Sequence, residues 1–194
     1  MRHAEPHNPQ QVVYGDLPGF PLSERGQAQA REVGQFLSNT QIDLIISSPL
    51  ERTHQTADII TGLHPNRPPV VTNRDIRDIN FGIYQGQLKI AEKDRDRGRY
   101  WQEQLDEANG FTSPLKVRDR MVAAFESAIK QHPDKSILFV SHAGVMAFLF
   151  ESMQGRDLSP DSIRQVPYGI GLASVWRVQL EPSMIIEKIF TPSS

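Results

Sequence analysis

Two short apolar runs, Ile42-Asp43-Leu44-Ile45-Ile46 and Ser136-Ile137-Leu138-Phe139-Val140, are each followed within a few residues by a helix-forming pattern, and this strand-into-helix order constrains the fold most. Runs of this length, apolar and rich in β-branched residues, read as buried strands. Strands that alternate with helices in this way predict an α/β layered domain. Ser23 precedes Glu24 and a helix-period set, Ala28, Val33, Phe36 and Leu37, which predicts an N-cap at Ser23 and a helix to about Leu37. Pro49 suits the first turn of a helix running to about Leu63. Pro68 to Thr72 reads as a short strand entered through a proline pair, and a helix is expected from Gly144 to about Met153. Gly171 to Leu180 and Met184 to Phe190 alternate about Glu181-Pro182-Ser183, which reads as a hairpin.

With 194 residues the chain can bury a substantial core as one domain spanning 1–194. Its 23 acidic and 21 basic residues leave a formal charge of -2, so no global field draws it to nucleic acid or to an anionic membrane. Any basic site must be local. The absence of Cys removes disulfides, a thiolate nucleophile and a Cys-based zinc site. No apolar stretch is long enough for a bilayer and the start lacks the pattern of a signal peptide, so a soluble, cytoplasmic protein is expected. The segment from Lys89 to Gly110 is densely charged around Lys93-Asp94-Arg95-Asp96-Arg97 and carries Tyr100 and Trp101. It reads as a helical insertion, either solvated and docked by the two aromatics or acting as a substrate lid.

The chemistry-bearing residues follow the same architecture. Arg52 comes just after the first strand and its Ser47-Ser48-Pro49 turn, and His142 stands two residues after Val140, so both belong on the carboxyl rim where open α/β sheets collect ligands. Arg2 and His3 join them if they too end a strand. Guanidinium groups offer forked donors that match phosphate oxygens. A neutral imidazole is nucleophilic near neutral pH, whereas an imidazolium neutralises phosphoryl charge. Taken singly, His142 reads as a hydrogen-bonded loop residue and Arg52 as an ion-pair partner of Glu51 or Asp58.

Four separated motifs change that reading: Arg2-His3-Ala4-Glu5, the stretch from Ser47 to Ala57 with its Ser-Ser-Pro-Leu-x-Arg-x-x-Gln-Thr-Ala pattern, Phe81-Gly82-Ile83-Tyr84-Gln85-Gly86, and Ser141-His142-Ala143-Gly144. Together they resemble the histidine phosphatase superfamily, which contains cofactor-dependent phosphoglycerate mutases and many small phosphatases. The resemblance implies a three-layer α/β/α, phosphoglycerate-mutase-like fold with a mostly parallel central sheet. It implies hydrolysis of a small phosphomonoester, with His3 as the phosphorylated residue and Arg2, Arg52 and His142 as the phosphate pocket. His3 and His7 have the spacing of a helical metal pair, but Pro6 stands between them and no carboxylate-His partner is near, so no metal or cofactor is expected in catalysis. The alternatives are a mutase and a phosphate-binding regulatory protein without turnover. A small phosphorylated metabolite is the expected partner, and a homodimer is left open.

The chain also departs from the resembled pattern. Asp78 stands where a Glu is common and is one methylene shorter; it is the expected proton donor, with Glu5 as the weaker alternative and pairing to Arg77 or Arg74 as the structural reading. Asn8 is a candidate phosphate contact, displaced by one position. Phe111-Thr112-Ser113-Pro114 replaces a Gly-Glu-Ser segment. Only Met1 precedes Arg2, where the family carries an apolar strand, so the sheet is expected to lack one central strand, with Arg2 and His3 still beside Arg52 and His142. A sheet with that gap is expected to be poorly stable, and an upstream apolar segment to strengthen it.

Overall fold

The computed structural model describes residues 1–88, 107–156 and 169–193. Strand β1 (Leu44–Ser47) lies centrally, paired in parallel with β2 (Val70–Thr72) on one side and β3 (Ile137–Val140) on the other. Ile46 stands opposite both Val71 and Phe139. Because side chains alternate across a strand, β1 feeds two cores at once. Ile45 packs with Ala30 and Val33 of α1 (Glu24–Leu37) and with Ala57 and Ile60 of α2 (Glu51–Leu63). Leu44 and Ile46 pack with Val117 and Met121 of α3 (Pro114–Gln131) and with Val145 and Leu149 of α4 (Ala143–Met153). The helices therefore cover the sheet from both faces, which is the three-layer arrangement expected from the sequence. Complete burial of a side chain such as Ile45 is worth about 1.5–3 kcal/mol.

The local signals act largely as read. Ser23 caps α1, accepting a hydrogen bond from Gly26 N at 2.9 Å. Pro49 does not enter the first turn of α2, whose N-cap is Leu50. Ser48 is held in an extended approach instead: its amide donates to Val140 O at 3.0 Å, and its carbonyl accepts from the Thr53 hydroxyl at 2.8 Å. The C-terminal hairpin is shorter at its start than expected. It comprises β4 (Val175–Gln179) and β5 (Ile185–Phe190), paired antiparallel. The charged insertion, with Tyr100 and Trp101, falls mainly on 89–106 and lies outside the described residues. A short 3₁₀ turn, Glu107–Asn109, stands on its C-terminal side.

The parallel sheet and the hairpin are separate ladders, and among the described residues the first residues of the chain bond to the segments that lead out of one and into the other. On one side Ser141 N donates to Met1 O and His3 N to Ser141 O, both at 3.0 Å. On the other, Arg2 N donates to Ser174 O at 3.2 Å and Ala173 N to His3 O at 3.0 Å. A cavity of about 310 Å³ beside this stub is lined by Met1 and by side chains of both flanking strands, including Ile137, Phe139, Trp176 and Val178. The Met1 amino group donates to Phe139 O at 2.6 Å, and burial pushes its pKa down to about 5, so it is neutral near pH 7. The backbone of Met1 to His3 therefore bonds on both sides and brings Arg2 and His3 to the carboxyl rim.

Candidate active site

The carboxyl ends of β1 and β3 bring Ser48 and His142 together, and the first turn of α2 adds Arg52. Arg52, His3 and His142 are each 1 % exposed, so their charge states are set by one another rather than by water. The two imidazole rings lie 5.2 Å apart, centre to centre, and tilted by 57°.

His3 Nδ1 is 2.7 Å from the Ala4 carbonyl oxygen, which can only accept, so Nδ1 carries the proton and Nε2 keeps its lone pair. Burial, then the Arg52 and Arg2 charges, hold the His3 pKa well below its ordinary value, so the ring is neutral and nucleophilic. Burial together with His3, Arg52, Arg2 and Arg120 does the same to His142. His142 Nε2 is 2.8 Å from the Ser48 hydroxyl, and Nδ1 lies 3.3 Å from Asp78 Oδ2 and 3.4 Å from Arg52 Nη2.

Arg52 donates through Nη2 to Asp78 Oδ2 at 3.0 Å and to the Gly15 carbonyl at 2.6 Å. Arg2 donates through Nη1 to Ile170 O at 2.8 Å. The buried Nε–H groups of Arg2 and Arg52 have no acceptor among the described residues. Such donors are costly to bury alone, and the oxygens of a phosphoryl group would satisfy both. Asp78 is paired with Arg52, not with Arg74 or Arg77. Burial raises its pKa, against the pull of Arg52 and of the Ile79 N–H that bonds Oδ1 at 2.9 Å. A carboxyl that keeps its proton more readily than usual is suited to donate it.

Glu5 is engaged elsewhere: Oε1 accepts from the Ser23 hydroxyl at 2.7 Å and Oε2 pairs with Arg25 at 3.3 Å. Asn8 bonds both the N–H and the C=O of Val12 through its amide, at 3.1 and 2.9 Å. Both nevertheless line an open cleft of about 400 Å³ with Arg2, His7, Tyr14 and Leu172. The more enclosed and apolar cavity beside Met1 contains none of the paired imidazoles or guanidiniums.

Sequence reasoning missed the loop that closes over Arg52. The Tyr14 ring lies 4.7 Å from the Arg52 guanidinium carbon and its hydroxyl bonds Arg2, so one aromatic braces both cations. Gly15 supplies the carbonyl with φ at +44°, and a Cβ there would collide with Gln85 Oε1 and with Ile79 O. Ser48 and Thr56 carry no role readable from the sequence. Thr56 accepts from Ala4 N at 3.1 Å and donates to Arg52 O at 2.6 Å, tying the segment that carries His3 to the Arg52 helix. The Gly after Tyr14 is the one available signal, and it has no periodicity to mark it.

The two neutral histidines carry a stability consequence. Their folded pKa values are lowered and the unfolded value is about 6.5, so the contribution is complete above that pH. Below it the unfolded chain takes up protons that the folded protein refuses, and stability falls by at most about 1.4 kcal/mol per pH unit per ring. Asp78, with a raised pKa, opposes this in part at lower pH. Urea unfolding should therefore show a lower stability at pH 5.5 than at pH 7.5, with a shallower loss in His3→Asn. Equal stability at the two pH values in the parent would contradict the neutral assignment.

Comparison with known proteins gives the family and the fold. The family model for the histidine phosphatase superfamily (branch 1) matches residues 1–185. Phosphoserine phosphatase 1 of Hydrogenobacter thermophilus is 33 % identical over 163 residues, covering 82 % of this chain and 76 % of the relative. Among solved structures, Bacillus stearothermophilus YhfR has a TM-score of 0.78 at 21 % identity, covering 96 % of this chain and 93 % of its own. A mycobacterial glucosyl-3-phosphoglycerate phosphatase complexed with VO3 also has a TM-score of 0.78, at 23 % identity, covering 96 % and 94 %. These two likenesses concern the fold. With its paired imidazoles and guanidiniums gathered on the carboxyl rim of a parallel sheet, the chain belongs to the histidine phosphatase superfamily, branch 1.

Proposed function

We infer that the chain is a phosphoric monoester hydrolase acting on a small phosphorylated metabolite through a phosphohistidine. The observation that carries this reading is the neutral, Nδ1-protonated His3 beside two buried guanidiniums whose Nε–H groups lack acceptors among the described residues. Names of relatives support it: phosphoserine phosphatase 1 and the Bacillus subtilis phosphatase PhoE are similar along most of the chain.

In this reading His3 Nε2 attacks phosphorus in line, the P–N bond forms, and the ester P–O bond breaks. Asp78 gives its proton to the leaving oxygen. A water then attacks the phosphohistidine, Asp78 takes the water's proton, and inorganic phosphate leaves with His3 restored. Arg2, Arg52 and His142 act on the equatorial oxygens, where positioned donors account for most of the catalysis of phosphoryl transfer. Burial first, and then the charges around it, keep His142 neutral; a phosphoryl dianion offsets part of this, so its ring becomes a better donor when substrate is bound. Asn8 fixes the cleft loop through Val12 while lining the cleft. No described helix is long and apolar enough to cross a membrane, and a cytoplasmic site of action fits a chain without Cys.

A mutase would need to grip a second acidic group, and the Lys89 to Gly110 segment has no Arg-Arg pair for it. A non-catalytic phosphate binder would not need the proton donor that Asp78 offers. Release of inorganic phosphate from p-nitrophenyl phosphate, phosphoserine and a panel of sugar phosphates tests hydrolysis. Binding without release, or conversion of 3-phosphoglycerate to its 2-isomer as the main activity, would replace the reading. Within it, Arg52→Ala is expected to lower kcat/KM by about 10²–10³, the usual effect of losing one positioned donor. It also removes the cation that restrains the Asp78 pKa. A loss below threefold would take Arg52 out of the pocket.

A further inference from the structure

Asp78 is held from behind. It comes just after a 3₁₀ turn, Arg74–Ile76, which is capped by Asn73 accepting from Asp75 N at 2.8 Å and tied to the end of β3 by the Ser141 hydroxyl, which donates to Ile76 O at 2.8 Å. Neither contact reaches Asp78. Arg120 of α3 does: Nη2 donates to the Asp78 carbonyl at 3.0 Å while Nη1 donates to the Asp75 carbonyl, so one guanidinium spans the turn from end to end. Its Nε is buried with no acceptor among the described residues. Burial, then the Arg77 charge, lowers the Arg120 pKa to about 10 against the pull of the Asp78, Asp75 and Asp16 carboxylates, so holding the half-buried guanidinium at the turn has a cost.

The need for such a brace arises from the length of the donor. An Asp carboxyl stands one methylene from its Cα, so its reach is set by the backbone with little side-chain adjustment. A misplacement on the order of 1 Å can cost about 10² in rate. We propose that Arg120 is a positioning residue that fixes the Asp78 backbone so that its carboxyl meets the leaving oxygen. This rests on the reading of Asp78 as the proton donor. A guanidinium is suited to the task because its fork bonds two carbonyls at fixed spacing, which an ammonium cannot do.

The test compares kcat/KM for phenyl phosphate and p-nitrophenyl phosphate in Arg120→Met, Arg120→Lys, Asp78→Asn and the double variant Asp78→Asn/Arg120→Met. The two esters are alike in shape, and phenol is the poorer leaving group, so loss of proton donation weighs on phenyl phosphate. Arg120→Met is expected to lower phenyl phosphate turnover about 10-fold more than p-nitrophenyl phosphate turnover. Arg120→Lys should restore part of that difference, and the Met substitution should add little once Asp78 is Asn. An Asp78→Asn variant that discriminates between the esters, beside Arg120 variants that slow both equally, would overturn the positioning role and leave the donor standing. Failure of Asp78→Asn to discriminate would overturn both. Should Arg120→Met fold poorly, Arg120→Lys decides, since an equal loss on both esters is the result of a brace that serves stability alone.

Discussion

His3→Ala should show no measurable turnover, a loss of about 10⁴-fold or more, and no covalent phosphoryl labelling in the same preparation. The chain has no Cys to substitute as nucleophile, and the His142 ring nitrogens face Ser48 on one side and Asp78 with Arg52 on the other. Because the Ala4 carbonyl fixes the His3 proton on Nδ1, only Nε2 of His3 is both basic and unprotonated. His3→Gln keeps more of the buried volume and should be equally inactive, which separates loss of the nucleophile from loss of packing. A near-parental rate in either variant, measured as phosphate release, would remove the covalent route.

Asp78→Asn should lower kcat/KM by about 10²–10⁴ for alkyl phosphates, whose leaving oxygen needs a proton, and by much less for activated aryl esters. The substitution keeps the shape and the Ile79 contact but cannot donate an acidic proton. It also leaves the buried Arg52 without its carboxylate partner, so part of the loss common to all esters arises there. Equal losses for alkyl phosphates and p-nitrophenyl phosphate would direct attention to Glu5, which lines the cleft but is bound to Ser23 and Arg25.

Much of the fold and the site is legible in the sequence because the signals are local. The alternation Leu44, Ile45, Ile46 specifies a strand buried on both faces, and Ser23 before an apolar helical stripe specifies the start of α1. Arg52 and His142 can be placed on one rim because each comes after a parallel strand, and the register of β1 with β3 does bring them together. The features that escape reading depend on contacts distant in sequence. Gly15 meets Arg52 and Arg120 meets Asp78 across 37 and 42 positions of sequence, and no periodicity or spacing around either residue marks them. Met1 to His3 shows no strand pattern, yet its backbone bonds on both sides carry His3 into the site. Pro49 misleads because the hydrogen bonds that hold Ser48 extended displace the start of α2 by two residues, to Glu51.

The central claim is a phosphoryl group carried on His3. Protein mixed with phosphoserine or p-nitrophenyl phosphate, quenched in alkali during turnover and digested, should yield by mass spectrometry an N-terminal peptide with an acid-labile phosphoryl group on His3, absent from His3→Gln. Burst release of p-nitrophenol equal to the enzyme concentration should accompany it if dephosphorylation is the slower step. Steady turnover with the phosphoryl group on another residue, or with none trapped on any residue at any quench time together with oxygen exchange showing direct attack of water on the ester, would contradict it.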